Sequence, residues 1–532
     1  MKIVIAEKTS PSAIELFRQE KSWSVVTADQ LTGGVTLAAE LVDADALIVR
    51  SAVDVNAKLL ESAKKLRVIG RAGVGVDNID LDAATRKGIV VMNTPGANAV
   101  AVAEHTFGLM LSMARHLSRA DTTTRAGKWE KKTLQGTELR GKTLGIVGLG
   151  RIGMEVATRA HAFGMKVMAH DPFVAPTAIR AREITLTSLD DVYAAADYLS
   201  LHVGLSPQTQ GMINEASIAK MKRGVRIVNC ARGELIDDAA LAAALKSGAV
   251  GGVAVDVFRQ EPPRESPLLG ADNVVATPHI AGSTNEAQEA VGIQIAMQVK
   301  EYLARGVIQN AVNVPSVSDE EFVEIEPYLA LAEKLGAFLA QVSERDENLE
   351  EIAIRYSGRI AEMKIDLVRN SAIKGVLNQF APDSANLVNA AGVAKERGIR
   401  VDETRSATTS GSAASVITIT LKTKSLQTEG KGTVLRGDSN RLLRLNGIDI
   451  EAPLRNSMIY VRNEDVPGVI GKIGTVLGEH GVNIASFSLG RKEEHVGSDA
   501  IAVVAVDDEV PQAAIEKLRK IEAVQEVRAI QL

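Results

Sequence analysis

Between residues 143 and 281, short apolar runs alternate with segments in which apolar positions have a helical spacing. Six runs have the character of β-strands: TLGIV, KVMAHD, YLSLHV, VRIVNC, GGVAVDVF and VVATP. Strands that alternate with helices in this way predict an α/β fold with a parallel, doubly wound sheet. Residues 1–97 show the same alternation, with the strand-like runs KIVIAE, WSVVTA, ALIVRS, RVIGRAG and IVVMN. Another α/β unit is therefore expected at the N-terminal side of residues 143–281.

Two helical segments are expected to join these α/β units. Residues 97–117 read as one long helix that is mostly apolar on all sides, which favours packing between units or against another subunit. Residues 283–305 are expected to form a helix that returns to the first unit. Residues 98–282 would then be a domain inserted into residues 1–97 and 283–315, with a cleft between the two lobes.

The C-terminal part of the chain has a different pattern. Residues 316–455 contain a predicted helix at 327–343 and strand-like runs such as EEIAIRYSG and SVITITLKT, which indicate an intervening α+β domain. The pattern of residues 456–532 predicts a strand, a helix, two strands, a helix and a strand, which is the βαββαβ order of a ferredoxin-like domain. Helices cover only one face of such a sheet, so the other face is expected to be buried against a partner chain or a ligand.

Composition narrows the possible functions. The 532 residues exceed what one hydrophobic core holds, and 45% hydrophobic with 24% charged residues is ordinary for globular domains. The net charge of −5 comes from interspersed signs, so nucleic acid is not an expected partner. The start MKIVIAEKTS has no signal-peptide core and no run approaches about 20 apolar residues, which predicts a cytoplasmic protein with no membrane partner. The single cysteine, Cys230, fits a reducing compartment and the role of a small buried hydrophobe rather than a nucleophile.

The segment GLGRIG follows one predicted strand and opens the next helix. Gly148 allows the tight turn, Gly150 lets the backbone approach a pyrophosphate, and Gly153 lets the helix pack closely on the strand. The helix N-terminus then offers N–H groups and a positive dipole end to the phosphates. Asp171 ends the next strand, where its carboxylate can accept hydrogen bonds from both ribose hydroxyls. No Arg or Lys follows in residues 172–174, so NAD is predicted as the cofactor rather than NADP.

Three ionisable residues follow the later strands of this sheet. Arg232 comes after VRIVNC, Glu261 after GGVAVDVF and His279 after VVATP. The carboxyl ends of parallel strands line one crevice, so these side chains are expected at a common rim. Arg232 can bind a carboxylate bidentately, His279 can exchange the proton of a secondary alcohol, and Glu261 can orient the imidazole. Together they predict the oxidation of a 2-hydroxy acid, whereas singly they also fit a capping Arg, a solvated Glu and a structural His.

The first α/β unit contributes two cations at its own strand ends. Arg50 ends ALIVRS and Arg71 lies in RVIGRAGVG. The loop GVGVDN is similar to a second glycine motif, but Asn78 stands in place of its last glycine, so Val74 and Gly75 are interpreted as offering backbone N–H groups to a substrate anion. Arg50 and Arg71 would suit a distal phosphate. The alternative is that both are ordinary strand-end arginines.

These motifs together resemble the D-isomer-specific 2-hydroxyacid dehydrogenases, and most closely the members that oxidise 3-phospho-D-glycerate. The resemblance rests on LGIVGLGRIG, NCARGELID, TPHIAGST, GRAGVGVDNID and MNTPGANAVAVAEH, and it extends over the whole chain. It implies a Rossmann-like cofactor domain inserted in a flavodoxin-like substrate domain, followed by an intervening domain and an ACT amino-acid-binding domain. It further implies a homo-oligomeric enzyme that uses NAD to oxidise 3-phospho-D-glycerate to 3-phosphooxypyruvate, on the route to L-serine.

By motif position, the resemblance also implies roles for individual residues. Arg232, Glu261 and His279 become catalytic, with His279 as the acid–base group. With the strand-end and loop residues identified above, the residues expected to contact substrate are Arg50, Arg71, Val74, Gly75, Arg232 and His279. The residues implied to surround NAD are Gly148, Gly150, Arg151, Ile152, Gly153, Asp171, Cys230, Ala231, Arg232 and Asp256, and Asp256 would hold the carboxamide. No metal ligands are identified.

The sequence departs from the family pattern at a few positions. Val74 and Val203 stand where relatives often carry Thr, which weakens side-chain contacts to the cofactor there but keeps the backbone contacts. In the ACT-like domain, Asp465 and Asn483 match effector positions for an amino acid such as L-serine, but Asn463 replaces an aromatic residue of regulated members. The alternative for this domain is a module that only holds the oligomer together.

Other interpretations stay open at this point. In the intervening domain, Arg441 and Arg444 could bind an anion or form a solvated basic edge. The substrate could be another D-2-hydroxy acid, such as D-lactate, D-glycerate or 2-hydroxyglutarate, although Arg50 and Arg71 favour a phosphorylated one. A nucleotide-sensing scaffold similar to the C-terminal binding protein corepressors would keep the same fold and the same three catalytic residues.

Overall fold

The computed structural model describes residues 1–31, 36–179, 182–343, 348–382, 384–409, 413–435, 439–493, 495 and 497–532. Within these residues the strands form four sheets that follow one another along the chain. The first two sheets are parallel, and the predicted α/β class is confirmed for this part of the molecule.

The first sheet is built from the N-terminal residues. Its strands and intervening helices are β1 (Lys2–Ile5), α1 (Pro11–Arg18), β2 (Ser24–Val26), α2 (Leu37–Glu40), β3 (Ala46–Val49), α3 (Ala57–Ser62), β4 (Val68–Arg71), α4 (Leu81–Arg86) and β5 (Val90–Met92). The strand order is β2-β1-β3-β4-β5, the flavodoxin-like order. Because β3 and β4 are neighbours, Arg50 and Arg71 lie side by side at their carboxyl ends.

The second sheet holds the glycine motif. Its elements and the helices around it are α5 (Ala99–Arg115), α6 (Leu117–Arg125), β6 (Thr143–Val147), α7 (Arg151–Ala162), β7 (Lys166–His170), α8 (Pro176–Ile179), β8 (Ile184–Leu186), α9 (Leu189–Ala195), β9 (Tyr198–Leu201), α10 (Glu215–Ile218), β10 (Val225–Asn229), α11 (Asp238–Ser247), β11 (Val250–Val255), β12 (Val274–Ala276) and α12 (Asn285–Arg305). The strand order is β12-β11-β10-β9-β6-β7-β8. The sequence predicted six of these seven strands and missed β8, a three-residue edge strand with little buried surface.

The connecting helices follow the expected route with one difference. The predicted helix over residues 97–117 ends at Arg115, because His116 adopts a left-handed backbone with φ of +54° before α6 begins. Helix α12 returns to the first sheet and packs on α1 and β4. It lies so close to β4 that a Cβ atom on Gly70 would come within 2.7 Å of Ile295. No helix in the described part of the chain combines the length and apolar character needed to cross a membrane.

The C-terminal half forms the third and fourth sheets. The elements of the third unit are α13 (Asp319–Val342), β13 (Glu351–Gly358), α14 (Asp366–Leu377), α15 (Ala390–Glu396), β14 (Arg400–Ser406), β15 (Ser415–Lys422), β16 (Gln427–Leu435), β17 (Ser439–Leu445) and β18 (Ile448–Pro453). Those of the fourth are β19 (Ser457–Glu464), α16 (Val469–Glu479), β20 (Ile484–Arg491), β21 (Asp499–Val506), α17 (Gln512–Leu518) and β22 (Val524–Gln531). The predicted βαββαβ order of the fourth unit is confirmed, with an antiparallel sheet in the order β20-β21-β19-β22. Helix α13 begins two turns before the predicted position, because Ser318 and Glu321 form a capping box.

Both faces of the fourth sheet are buried within the chain. One face packs on α16 and α17 through residues such as Val461 and Val504. The other face, which includes Met458 and Val503, belongs to one continuous core with α13 and β18 of the intervening unit. The side-chain amide of Gln341 on α13 also pairs with the backbone of β22 at Gln531, donating to its carbonyl at 2.7 Å and accepting from its N–H at 3.0 Å. The expectation that this face needs a partner chain or ligand was therefore wrong.

We expect Met458→Ala to loosen the fourth unit, because Met458 is 0% exposed in the core shared with the intervening unit. Removing such a side chain should lower the free energy of unfolding by about 2 to 5 kcal/mol. Amide hydrogen exchange of β19 in the full chain measures this locally. The matched control is Ile470→Ala on α16, where the side chain is 50% exposed and the expected change stays below about 0.5 kcal/mol. Equal protection in both variants would mean that the shared face is not packed as described.

Candidate active site

The glycine motif folds into a turn with an open side. Gly148 has a φ of +92°, and a Cβ there would lie 2.5 Å from the carbonyl oxygen of His202. A Cβ on Gly153 would lie 2.1 Å from the carbonyl oxygen of Gly148, so α7 packs directly on the turn. Around Gly150, which caps α7, no described heavy atom lies within 4 Å of the Cβ position. This open N-terminus has the shape and the N–H donors that a dinucleotide pyrophosphate needs.

Asp171 braces the glycine turn from the end of β7. Its Oδ2 accepts a hydrogen bond from the N–H of Leu149 at 2.8 Å, and its Oδ1 accepts one from the N–H of Phe173 at 2.9 Å. A carboxylate can accept about four hydrogen bonds, so capacity is left for ribose hydroxyls. Arg151 points away from this edge and donates from Nη1 to the carbonyl oxygen of Pro95, in the segment that leads to α5. Ile152 packs against the core beneath α7.

Cys230 follows β10 and is buried. Burial raises the pKa of the Cys230 thiol to about 12, against a smaller opposing effect of a hydrogen bond with Thr106. A thiol that stays protonated at neutral pH is a poor nucleophile. Cys230 therefore acts as a small apolar residue at the end of the strand, next to Ala231, whose N–H is held by Asn229 at 3.0 Å.

Arg232, Glu261 and His279 follow the carboxyl ends of β10, β11 and β12, which are adjacent in the sheet. The Nδ1 atom of His279 lies 2.8 Å from Oε2 and 3.1 Å from Oε1 of Glu261. The pair is partly exposed, so it is open to a ligand. With Nδ1 engaged, Nε2 is the nitrogen that can exchange a proton with a substrate. The pairing of His279 with Glu261 inferred from the sequence is thus present in the structure.

Asp256 is fully buried and holds the turn that carries His279. Its Oδ1 accepts hydrogen bonds from Thr277 Oγ1 at 2.6 Å and from the N–H of Ile280 at 2.9 Å, and its Oδ2 accepts one from the N–H of Ala281 at 2.8 Å. Burial alone would raise the pKa of the Asp256 carboxyl, but these hydrogen bonds and the nearby His105 hold that pKa below its ordinary value. The carboxylate is therefore ionised at neutral pH.

His279 occupies a strained backbone position within that turn. Its φ is +53°, in the left-handed region, and its N–H donates to the carbonyl oxygen of Asp256 at 2.8 Å. His105 on α5 completes the support, with its Nε2 at 3.1 Å from Thr277 Oγ1. Sequence reasoning missed His105 and Thr277. Only their positions in the sequence could have identified them, since Thr277 lies two residues before His279 and His105 lies on the long helix between the lobes.

The cations of the first unit converge on the same cleft. The Nε atom of Arg71 is buried and has no hydrogen-bond partner among the described residues. Burial lowers the pKa of Arg71, the positive charges of Arg232 and Arg50 lower it further, and Asp77 and Glu7 oppose this. A buried N–H donor without a partner is costly. An anionic ligand would satisfy the Arg71 donor and offset the mutual repulsion of the three arginines.

The loops that carry these cations are held by residues that the sequence analysis did not single out. Glu7, two residues beyond β1, accepts hydrogen bonds from the backbone N–H groups of Arg50, Ala52 and Val53 at 2.7, 3.1 and 3.1 Å. Asn78, interpreted as a departure from a glycine motif, donates from Nδ2 to the carbonyl oxygens of Arg50 and Val53 at 2.9 and 2.6 Å. Together they fix the Arg50 loop against the loop after β4.

That second loop, residues 73–79, reaches the other lobe. Asn93 donates from Nδ2 to the carbonyl oxygen of Val74 at 2.6 Å and holds the loop from behind. A Cβ on Gly75 would lie 1.9 Å from Nη2 of Arg232, so only glycine lets the guanidinium approach this closely. Val203 lies across the glycine turn, where a Cβ on Gly148 would come within 2.8 Å of its Cγ1.

The expected effector residues are each tied to a different partner. Asp465 is 14% exposed and its Oδ2 lies 3.1 Å from Nε of Arg491. Asn483 is exposed and donates to Asp507 Oδ2 at 2.6 Å. Asn463 is buried and donates to the carbonyl oxygen of Glu464 at 2.8 Å, while its Oδ1 has no partner among the described residues. These contacts leave the effector role of Asp465 and Asn483 a prediction.

The two arginines of the intervening unit differ from each other. Arg444 donates from Nε and Nη2 to the two carboxylate oxygens of Asp449, at 2.5 and 2.8 Å. The carboxylate balances the positive charge of Arg444, which favours the interpretation as a solvated basic edge. Arg441 has a buried Nε without a partner among the described residues.

Comparison with known proteins agrees with this geometry. Residues 107–281 match the D-isomer specific 2-hydroxyacid dehydrogenase NAD-binding domain, residues 324–446 the D-3-phosphoglycerate dehydrogenase intervening domain, and residues 457–523 the ACT domain. The D-3-phosphoglycerate dehydrogenase of Methanocaldococcus jannaschii is 39% identical over 100% of both chains, and that of Bacillus subtilis 39% identical over 93% of each. A crystal structure of D-lactate dehydrogenase from Aquifex aeolicus, complexed with NAD and lactic acid, is 31% identical and covers 59% of this chain and 100% of its own, with a TM-score of 0.52.

The fold and the cleft define an NAD-dependent dehydrogenase of the D-isomer-specific 2-hydroxyacid class, and the sequence-based resemblance is confirmed. The solved D-lactate dehydrogenase matches only part of this chain, whereas the Methanocaldococcus jannaschii relative matches it over its whole length. The chain belongs to the D-3-phosphoglycerate dehydrogenase family.

We expect Asp256→Asn to reduce kcat strongly while the chain still folds. An amide NH₂ in place of one oxygen would face a backbone N–H of the Ile280–Ala281 segment, so the turn that carries His279 would shift. A misplacement of about 1 Å can cost about 100-fold in rate, and a loss of that order is expected. The matched control is Asp272→Asn, an exposed acid in the same connection, which should leave kcat unchanged. A wild-type kcat in Asp256→Asn would contradict the bracing role.

Proposed function

We propose that this protein oxidises 3-phospho-D-glycerate to 3-phosphooxypyruvate with NAD, as the first step of L-serine biosynthesis. The observation that carries the proposal is the buried Nε of Arg71, which has no partner among the described residues and lies near Arg50 and Arg232, in the cleft that also holds the His279–Glu261 pair. Three cations in one cleft suit a substrate with two anionic groups. The names of the full-length relatives agree with such a substrate.

The chain's own side chains divide the chemistry between them. Arg232 binds the substrate carboxylate and polarises the adjacent oxygen. Nε2 of His279 takes the proton of the 2-hydroxyl, and Glu261 holds Nδ1 and stabilises the imidazolium that results. Arg50 and Arg71 bind the distal phosphate, with the backbone of Val74 and Gly75 beside them. Bound NAD supplies the hydride acceptor.

We assign the cofactor to the open end of α7. Gly148, Gly150 and Gly153 form the pyrophosphate turn, and Asp171 at its edge favours a free ribose 2′-hydroxyl over a 2′-phosphate because two anions repel. The remaining contacts of the proposal are Arg151, Ile152, Cys230, Ala231, Arg232 and Asp256. In this assignment residues 98–282 bind NAD, and residues 1–97 with 283–315 bind substrate.

We also propose that the protein is a cytoplasmic homo-oligomer with a regulatory C-terminal domain. Val100, Leu117 and Trp129 are large apolar side chains on or beside α5 and α6 that remain exposed, Trp129 by 84%, which supports a homo-oligomer formed through this surface. Residues 456–532 would form the regulatory domain, attached through residues 316–455. A cytoplasmic location completes the proposal.

Phosphate recognition by Arg71 is the most direct test of the substrate. For 3-phospho-D-glycerate, Arg71→Ala should raise KM by about 10- to 100-fold, because a hydrogen bond to a charged group contributes about 1.5 to 3 kcal/mol. For D-glycerate, which lacks the phosphate, the change should be much smaller. Initial rates of NADH formation over a panel of D-2-hydroxy acids measure both effects.

Two control variants accompany this panel. Arg18→Ala removes an exposed arginine on α1 and should behave as wild type. His279→Asn should abolish turnover of every substrate and retain NADH binding. If wild type prefers D-lactate or 2-hydroxyglutarate, or if Arg71→Ala impairs both glycerates equally, the phosphorylated substrate is wrong.

We further propose L-serine as an effector bound near Asp465 and Asn483. Titration calorimetry with the full chain is the appropriate measurement, because the isolated segment 456–532 would expose the face that packs on α13. Heat of binding and reduced activity are expected at millimolar L-serine, and Asp465→Asn should remove both. Asp508→Asn, an exposed acid beyond β21, is the matched control. If L-serine produces neither heat of binding nor inhibition in wild type, residues 456–532 would serve only to hold the oligomer together.

A further inference from the structure

The guanidinium of Arg232 already holds a carboxylate, and that carboxylate comes from the opposite lobe. Oδ2 of Asp77 lies 3.0 Å from Nε and 2.9 Å from Nη2 of Arg232. Nη1 of Arg232 donates to the carbonyl oxygen of Ala231 at 2.7 Å. One side of the guanidinium is thus occupied by an internal anion, in a cleft where a substrate carboxylate has to bind.

Asp77 sits on the loop that faces the substrate. A Cβ on Gly75 would lie 1.9 Å from Nη2 of Arg232 and 2.8 Å from Oδ2 of Asp77, so Gly75, Asp77 and the guanidinium meet at one point. The neighbouring Asn78 is anchored through two hydrogen bonds to the Arg50 loop. The backbone at Asp77 is therefore fixed, and only its side chain is placed to swing away.

The two acids that balance the three arginines differ in how they are held. Glu7 accepts three backbone hydrogen bonds and cannot leave without opening the Arg50 loop. The side chain of Asp77 is 64% exposed, and that of Arg232 is 27% exposed. Ion pairs this exposed add little stability because water competes for both charges. Asp77 can therefore be displaced by an anion that also gains contacts elsewhere in the cleft.

We propose that Asp77 is a specificity-determining residue: its carboxylate occupies the place of the substrate carboxylate on Arg232 and yields it to a ligand that brings its own carboxylate. The inference rests on the proposed function for the role of Arg232. A ligand whose only anion is a distal phosphate leaves the Asp77–Arg232 pair intact and gains little from removal of the Asp77 charge, which acts on Arg71 only without direct contact. A carboxylate ligand has to replace Asp77 and binds more weakly for that reason.

The test compares ligands that separate the two anionic groups. Titration calorimetry of the full chain saturated with NADH uses D-glycerate, which has only the carboxylate, and glycerol 3-phosphate, which has only the phosphate. Asp77→Asn keeps the size of the side chain and removes its charge. We expect the Kd of D-glycerate to fall by about 2- to 5-fold in this variant, a range typical of one exposed charge pair, while the Kd of glycerol 3-phosphate changes much less.

Two further variants make the outcome specific. Asp82→Asn removes an equal charge from an exposed position on α4 and should alter neither ligand. Asp77→Glu restores a carboxylate and should return the Kd of D-glycerate towards the wild-type value. Equal tightening of both ligands would indicate a general charge effect, and weaker binding of D-glycerate would show that Asp77 supports Arg232; either result overturns the proposal.

This binding measurement does not depend on turnover. Suppose that wild type fails to oxidise 3-phospho-D-glycerate but Asp77→Asn selectively lowers the Kd of D-glycerate. The proposed function is then wrong, and the proposed role of Asp77 is supported. If wild type is active and the Kd of D-glycerate does not change, only the role of Asp77 falls.

Discussion

The geometry of the candidate active site depends on one buried carboxylate. Asp256 follows strand β11 and has no solvent exposure, and an ionised group in such a place is costly unless it is fully hydrogen-bonded. Three of its donors come from the single segment Thr277–Ala281, which also contains His279. The cost of burying this charge is offset only when that segment closes around it. The hydrogen bonds that satisfy Asp256 therefore also position the imidazole of His279. The same hydrogen bonds maintain the positive φ of His279.

The parts of the site that follow from strand topology could be predicted from sequence. A residue directly after a parallel strand has its place fixed by the strand, so Arg232 and His279 were placed correctly at one rim, and so was the glycine turn at Gly148. The pairing of Glu261 with His279 also followed, because the two residues come after the adjacent strands β11 and β12. Local pattern was sufficient in each case, since the strand carries the side chain to its position.

Contacts between distant segments could not be predicted in this way. Glu7 and Asn78 resemble ordinary loop residues in the sequence, and their hydrogen bonds to the Arg50 loop depend on how three separate strand ends meet. Asp77 pairs with Arg232 across 155 residues, which no local pattern encodes. The same limit explains the wrong expectation for the C-terminal sheet. The βαββαβ order indicated that helices cover only one face of this sheet, but not that the other face, which includes Met458, is covered by the same chain.

The burial of that face constrains how an effector could act. Because both faces of the C-terminal sheet are packed within the chain, uncovering one of them would cost a large part of the core, so a ligand there has to act through docked interfaces. The intervening unit contacts the lobe of the first sheet where Asn386 donates from Nδ2 to the carbonyl oxygen of Gly88 at 2.9 Å. Gly88 closes α4, and α4 begins at the end of the loop that carries Asp77. A displacement of the intervening unit would therefore reach the loop that carries Asp77 through one short helix, without passing through the lobe of the second sheet.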